Sequence, residues 1–284
     1  MKFDYSSFGY IAYVLSHPFV KGSVTFLPSV FLLTLARLFP ILSLAPFWGS
    51  KVLPRPARVG LGIALFFIMF PCVFDSITVM VSFNPKFLFL FIKELFIGAS
   101  IGLVALAPFM IAETAGILID HQRGSASFQV NDPLIQNMAS PMGLFFNYFA
   151  IYLFYLMGGP ILFLDTVLES FQVLPIDQFL NGLALARDAS FWKIFITLYG
   201  TIIISGVKLA MPALLIILMT DTFLGIANRL APQVQMVFLG MPLKALLGVA
   251  IVWLGWYTII GYMAKFNMSW LEQVTNVIYS LKYF

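Results

Sequence analysis

The sequence predicts an all-α integral membrane protein, and three observations predict it. Hydrophobic residues make up 61% of the chain and charged residues 10%, where a soluble domain carries about 25% charged residues. The mean hydropathy is +0.97. The apolar residues also gather into segments near 25–48, 60–82, 87–119, 142–164, 191–219 and 236–264, each at or above the ~20 residues that a helix needs to cross the hydrocarbon core. At 284 residues the chain is long enough for two soluble domains, but it lacks the polar surface to face water. It reads as a single helical membrane domain over 1–284.

The N-terminal Met1-Lys2-Phe3-Asp4-Tyr5-Ser6-Ser7 puts an acid and hydroxyls where a signal peptide needs a positive region and an apolar core. The chain is therefore expected to enter the membrane by its own helices. Pro28, Arg37 and Pro40 interrupt the first apolar segment. The following 49–58 stretch carries Lys51, Arg55 and Arg58 with Pro54 and Pro56, which reads as a rigid turn on the cytoplasmic face. Cys72 is the single cysteine, so no intramolecular disulfide forms, and its apolar neighbours Phe70 and Phe74 predict a buried, inert thiol. In the third segment Lys93 and Glu94 read as marking a helix end. Gly98 and Gly102 form a GxxxG pair that lets a neighbouring backbone come close, as subunit packing requires. Asp165, Glu169, Asp177 and Asp188, against Arg187, make 165–188 a linking segment on the opposite face. Pro108, Lys208, Pro212 and Lys244 interrupt the later apolar segments. A proline inside a helix leaves a carbonyl unpaired, so these segments are expected to be kinked helices or hairpins rather than smooth anchors.

The sequence holds no phosphate loop, dinucleotide fingerprint, HExxH or GxSxG. His17 and His121 lie far apart and neither has a partner at zinc-ligand spacing. No catalytic residue, cofactor or metal is expected. The net charge of +4 comes from singly scattered Lys and Arg, which reflects membrane topology and not a phosphate-binding stripe, so no nucleic acid is expected.

The stretch from Glu113 to Pro133 carries the most information. In a continuous helix Glu113, Gly116 and Asp120 share one face, being spaced i, i+3 and i+7. Acids within a membrane segment are costly and face a bundle interior or a water-filled cavity. After them Gln122, Arg123, Gly124, Ser125, Ser127 and Phe128 lead into Asp132-Pro133 through small, polar sequence that favours an irregular loop. Two readings stand. In one, a pore-lining helix ends in a gate loop; in the other, an ordinary loop lies outside the bilayer and Asp132 caps the next helix ahead of Pro133. Asp221, Gly225, Arg229 and Pro232 similarly mark either a membrane boundary or a subunit-docking face. Lys208 and Lys244 either snorkel to the interface or pair with acids.

Four blocks, taken together, resemble a known family. They are Gly116–Gly124 with Asp132-Pro133 downstream, Asp165–Ile176 ending in Leu174-Pro175-Ile176, Phe223–Gln233, and Gly240-Met241-Pro242-Leu243-Lys244. Their order is similar to that in the export-gate subunit of the type III secretion apparatus, called SctT in injectisomes and FliR in flagella. Ile119-Asp120-His121-Gln122-Arg123-Gly124 is closer to the injectisome form. The blocks span about residues 94–250, and 1–50 and 265–284 add little.

The resemblance implies one copy of this subunit completing a helical cone with several copies of two smaller gate subunits, SctR- and SctS-like. It implies an SctU-like specificity switch wrapped around the closed end, an SctV-like export component, inner rod or needle proteins as further partners, and the bacterial inner membrane as location. It implies that unfolded effector and needle proteins pass through the conduit, with the loop after Asp120 as its plug. Glu113, Gly116, Asp120, Gln122, Arg123, Gly124, Ser125, Ser127, Phe128, Asp132 and Pro133 become gate or pore-lining candidates. Gly98, Gly102, Asp221, Gly225, Arg229, Pro232 and Lys244 become subunit-packing candidates. The rival reading is a proton- or ion-coupled transporter of a small solute, with Glu113, Asp120 and Asp221 as ligands. It predicts a two-fold internal repeat, and none is visible.

Overall fold

In the computed structural model, residues 25–48, 53–124, 140–180, 190–230 and 236–282 are described. Among them 88% are helical and none is in a strand, so the fold is that of an all-α membrane protein. The described helices are α1 (Phe26–Leu44), α2 (Arg55–Asp75), α3 (Pro85–Gln122), α4 (Pro141–Leu156), α5 (Gly159–Val173), α6 (Ser190–Leu230), α7 (Met236–Leu254) and α8 (Trp256–Lys282), with a 3₁₀ turn at Pro46–Trp48. Four are long and apolar enough to cross a membrane: Phe26–Leu44, Arg55–Asp75, Pro85–Gln122 and, in α6, Phe191–Leu230. Two bent pairs, α4 with α5 and α7 with α8, pass the same test together.

Each apolar segment read from the sequence holds a helix or a bent pair, with corrected edges. The 60–82 segment ends its helix at Asp75. The 87–119 segment lengthens to 38 residues and the 191–219 segment to 41. At 1.5 Å per residue these two helices are about 57 and 62 Å long, roughly twice the hydrocarbon thickness. The 142–164 segment is not one helix: Gly158 takes φ +71, a left-handed conformation open to glycine, and separates α4 from α5. The 236–264 segment breaks at Gly255. The 165–188 stretch is not simply a linker, because Asp165 and Glu169 belong to α5. Pro40, Pro71, Pro108, Pro212 and Pro242 are accommodated inside α1, α2, α3, α6 and α7. Pro28 sits in the first turn of α1, where its missing N–H would have had no helical partner.

The chain divides into two compact units, one of residues 1–105, 163–192 and 274–284 and the other of 106–162 and 193–273. The first holds α1, α2, the first half of α3 and most of α5. Its core is aromatic: Phe26 meets Phe74 edge-on at 5.8 Å, and Phe47 and Trp48 both pack on Phe163. Tyr279, near the end of α8, donates to Glu169 at 2.7 Å. The second unit holds the rest of α3, α4, most of α6, α7 and the start of α8. Phe109 meets Phe154 edge-on, Trp256 packs on Phe145 and Phe149, and Asn267 donates to the Ala150 carbonyl.

Cys72 is half-buried rather than buried, and its sulfur accepts from Gln172 Nε2 at 3.2 Å. The thiol lies in the wall of an open 560 Å³ cleft with Asp75 and Gln172, because Cys72 shares the outer face of α2 with Ile68 and Asp75 while Phe70, Val73 and Phe74 fill the apolar core.

Candidate functional site

The last three turns of α3 and the first three of α4 form an antiparallel seam. Glu113, Gly116 and Asp120 face α4, as the helical period requires. Their counterparts Ser140, Gly143 and Asn147 repeat the same i, i+3, i+7 spacing in the opposite direction. Asn147 Nδ2 donates to Glu113 Oε2 at 2.6 Å, giving the acid a partner within apolar surroundings. At the middle rung a Cβ on Gly116 would lie 2.5 Å from the backbone of Gly143, so the two helices touch main chain to main chain.

At the far rung Asp120, only 4% exposed, works as a capping anion for α4. Its Oδ2 accepts from Ser140 Oγ at 2.5 Å and from Met142 N at 2.9 Å. Ser140 is the N-cap and accepts from Gly143 N at 3.0 Å, while Pro141 at N1 has no N–H to satisfy. The backbone donors of the first turn, Met142 and Gly143, are thereby satisfied, and Leu144 begins the helical ladder by donating to the Ser140 carbonyl. The negative charge also sits at the positive end of the α4 dipole. The remaining Asp120 oxygen pairs with Arg123 Nη2, three residues on.

Helix α3 ends in the next residues. Arg123 N donates to the Ile119 carbonyl, Gly124 N to the His121 carbonyl, and Gly124 adopts φ +78, the left-handed stop that favours glycine. Gln122 and Arg123 are half-buried. One carboxylate therefore ties together Arg123 before residues 125–139 and Ser140 and Met142 after them. Ser125, Ser127, Phe128, Asp132 and Pro133 lie outside the described residues, as does the expected Asp132 cap. The next described helix starts at Pro141 under the Ser140 cap.

Helices α6 and α7 border the same end of α3. Gly206 of α6 leaves room for Thr114, whose side chain would lie 3.1–3.2 Å from an added Cβ. Asp221 of α6 forms an ion pair with Lys244 of α7, so Lys244 pairs with an acid within the chain. Gly225 and Arg229 lie on the exposed end of α6, and an added Cβ on Gly225 would meet nothing within 4 Å. Pro232 is outside the described residues. Lys208 is exposed on α6.

In the other unit, Gly98 and Gly102 admit a neighbour as their spacing predicts, and that neighbour is α1 of the same chain. An added Cβ on Gly98 would collide with the Arg37 carbonyl, and one on Gly102 would lie 3.0 Å from Leu44 and 3.1 Å from the Pro40 carbonyl.

That close contact frames a buried ionic cluster which the sequence reading did not find. Lys93 and Glu94 do not mark a helix end; they lie inside α3 and are buried. Arg37, fully buried in α1, donates Nε to Glu94 Oε2 at 2.5 Å and Nη2 to Oε1 at 3.0 Å. Its other donors reach the Ser170 carbonyl (2.8 Å), Ser170 Oγ (3.2 Å) and the Leu174 carbonyl (2.7 Å), and the guanidinium lies 4.2 Å from the Phe171 ring centre. Lys93 Nζ pairs with Glu94 at 2.7 Å and donates to the carbonyls of Pro175, Ile176 and Gln178. The two cations thus fill the acceptors at the C-terminal end of α5 and in the turn after it, where the helix dipole favours positive charge.

Asp177 Oδ2 then fastens that turn to the α2–α3 connection by accepting from Thr78 N, Thr78 Oγ1 and Val79 N at 2.7–2.8 Å. The only signal in the sequence was three charges inside apolar runs, which must find partners or destabilise the fold. Sequence spacing does not say which partners.

Among the described residues no group of three or more His, Cys, Asp or Glu side chains is placed to hold a metal.

Residues 29–269 match the family of bacterial export proteins, family 1. The chain is 31% identical to the secretion system apparatus protein SsaT of Salmonella typhimurium, over 76% of this chain and 80% of that protein. It is 31% identical to the flagellar biosynthetic protein FliR of Aquifex aeolicus, over 78% of this chain and 83% of the relative. It is 29% identical to the Yop proteins translocation protein T of Yersinia pestis, over 54% of this chain and 57% of that protein.

Proposed function

Because the chain belongs to the family of bacterial export proteins, family 1, we propose that it is a non-enzymatic subunit of a type III secretion export gate in the bacterial inner membrane. In this reading it forms part of the channel for unfolded effector and needle proteins. Smaller SctR- and SctS-like subunits, an SctU-like switch and an SctV-like component complete the assembly. Energy for transport comes from other components, since the chain carries no nucleotide motif. The Ile119–Gly124 block supports an injectisome, whereas the 31% identities to SsaT and to FliR favour neither branch.

One observation supports a gating role for the loop after residue 124. The buried Asp120 carboxylate holds Arg123 on one side of that loop and Ser140 and Met142 on the other. The residues that flank 125–139 therefore meet on one carboxylate, and a change in those bonds would be felt on both sides. We assign the loop as the plug, with Glu113, Gly116, Asp120 and Arg123 as its brace.

Deleting Gly124–Phe128 tests this directly. The expected result is leakage of small solutes through an assembled gate. An unchanged leak together with normal secretion removes the plug assignment. Co-purification tests the wider reading: the chain is expected in a detergent-stable complex with small hydrophobic partners, and recovery of an active lone subunit removes it.

A further inference from the structure

Arg123 makes a second contact, with α7, that the plug reading does not use. A Cβ built on Gly248 would lie 2.5 Å from Arg123 Cδ, 2.9 Å from Arg123 Cγ and 3.3 Å from Ile217 Cδ1. Gly248 is therefore the floor of a notch in which the middle of the Arg123 side chain rests. The notch belongs to a defined register of the α6–α7 pair: Asp221 meets Lys244, and one helical turn along both helices Ile217 meets Gly248. The ion pair fixes the rung, and the next rung carries the arginine stem.

The stem has little freedom to move. Its far end is held by Asp120, and the side chain is 12% exposed. Its Nε is buried with no hydrogen-bond partner among the described residues, so among those residues the pose is set by the pair and the notch. A methyl group at position 248 would press on carbons in the middle of the chain, not on a free tip, and would lever the guanidinium away from Asp120.

We propose that Gly248 is a positioning residue for Arg123, through which the register of the α6–α7 pair determines whether Asp120 keeps its hold on the loop anchors. The functional half of this inference rests on the plug reading; the coupling between Gly248, Arg123 and Asp120 does not.

A double-mutant cycle in the whole assembled gate tests it, read by solute leakage in cells and by the melting temperature of the purified complex. Gly248→Ala is expected to raise leakage about tenfold and to lower the melting temperature about as far as Arg123→Ala does. It is expected to add nothing in an Arg123→Ala or Asp120→Ala background, where no paired stem remains to displace. A glycine kept for helix packing alone would instead show additive losses. Losses that add, or a Gly248→Ala gate identical to the wild type, overturn the proposal. A Gly248→Ala chain that fails to assemble supports it if Arg123→Ala restores assembly and overturns it if not. If the melting temperatures are non-additive but deletion of Gly124–Phe128 causes no leak, Gly248 keeps its role and the plug reading falls. If the deletion leaks and the cycle is additive, the reverse holds.

Discussion

Two polar clusters sit in otherwise apolar helices of this chain, and they are built differently. The Arg37–Glu94–Lys93 cluster is almost entirely buried, and Arg37 reaches five acceptors in all: both Glu94 carboxylate oxygens, the Ser170 carbonyl and hydroxyl, and the Leu174 carbonyl. The Asp120–Arg123 cluster is held by one carboxylate, leaves a buried arginine Nε without a partner among the described residues, and rests on glycines at 116, 143 and 248. The first arrangement is stable only when complete, because removing one charge strands another in a low-dielectric surrounding. The second turns on a single carboxylate whose partners come from both helices, Arg123 at the end of α3 and Ser140 and Met142 at the start of α4. Buried charge pairs locked on every side fasten a fold, whereas a carboxylate shared between two helices over glycine-lined contacts couples those helices to each other.

The largest expected effect breaks the first cluster. Glu94→Ala strands Arg37 and Lys93 and is expected to cost about 3–5 kcal/mol, measured as loss of the chain from the assembled complex and not as a leak. Gly116→Ala forces a methyl into the Gly143 backbone and is expected to cost roughly 1–3 kcal/mol, read as a lower melting temperature with a gate that still assembles. Asp120→Asn keeps the shape but loses the charged acceptor. It is expected to cost about 1–2 kcal/mol and to raise solute leakage, and an intact seal in this variant would erase the contrast drawn here. Ser140→Ala removes the α4 cap at about 1 kcal/mol, with Met142 still held by Asp120, and is expected to leak less than Asp120→Asn. Gly225→Ala lies in open space on α6 and is expected to stabilise the isolated helix by up to about 1 kcal/mol; reduced secretion at unchanged subunit stability would mark that face as a contact with another chain.

Much of this was legible in the sequence, and the limits have physical causes. Hydropathy located the six apolar segments because each helix presents a long apolar run to lipid or protein. The period of 3.6 residues put Glu113, Gly116 and Asp120 on one face correctly, since their relation is local. Their partners Ser140, Gly143 and Asn147 lie 20 to 34 residues along the chain from Asp120, Gly116 and Glu113, a separation no spacing rule bridges. Ser140-Pro141 nevertheless has the form of a helix start, with a cap followed by proline at N1. The pairing of Arg37 with Glu94 spans 57 residues and could not be read at all. The break before α5 was written in Gly158-Gly159-Pro160, but an averaging window over apolar residues hides three turn formers.

Helix α6 sets a condition on how the subunit is made. Even tilted by 40°, its 41 residues reach about 47 Å along the bilayer normal, well past the oily layer. Its last turns carry Phe223, Ile226 and Leu230 at 61–81% exposure. A copy synthesised in excess has nowhere to hide that tip. Cells are expected to match its output to that of its companions, and membrane proteases to clear the surplus.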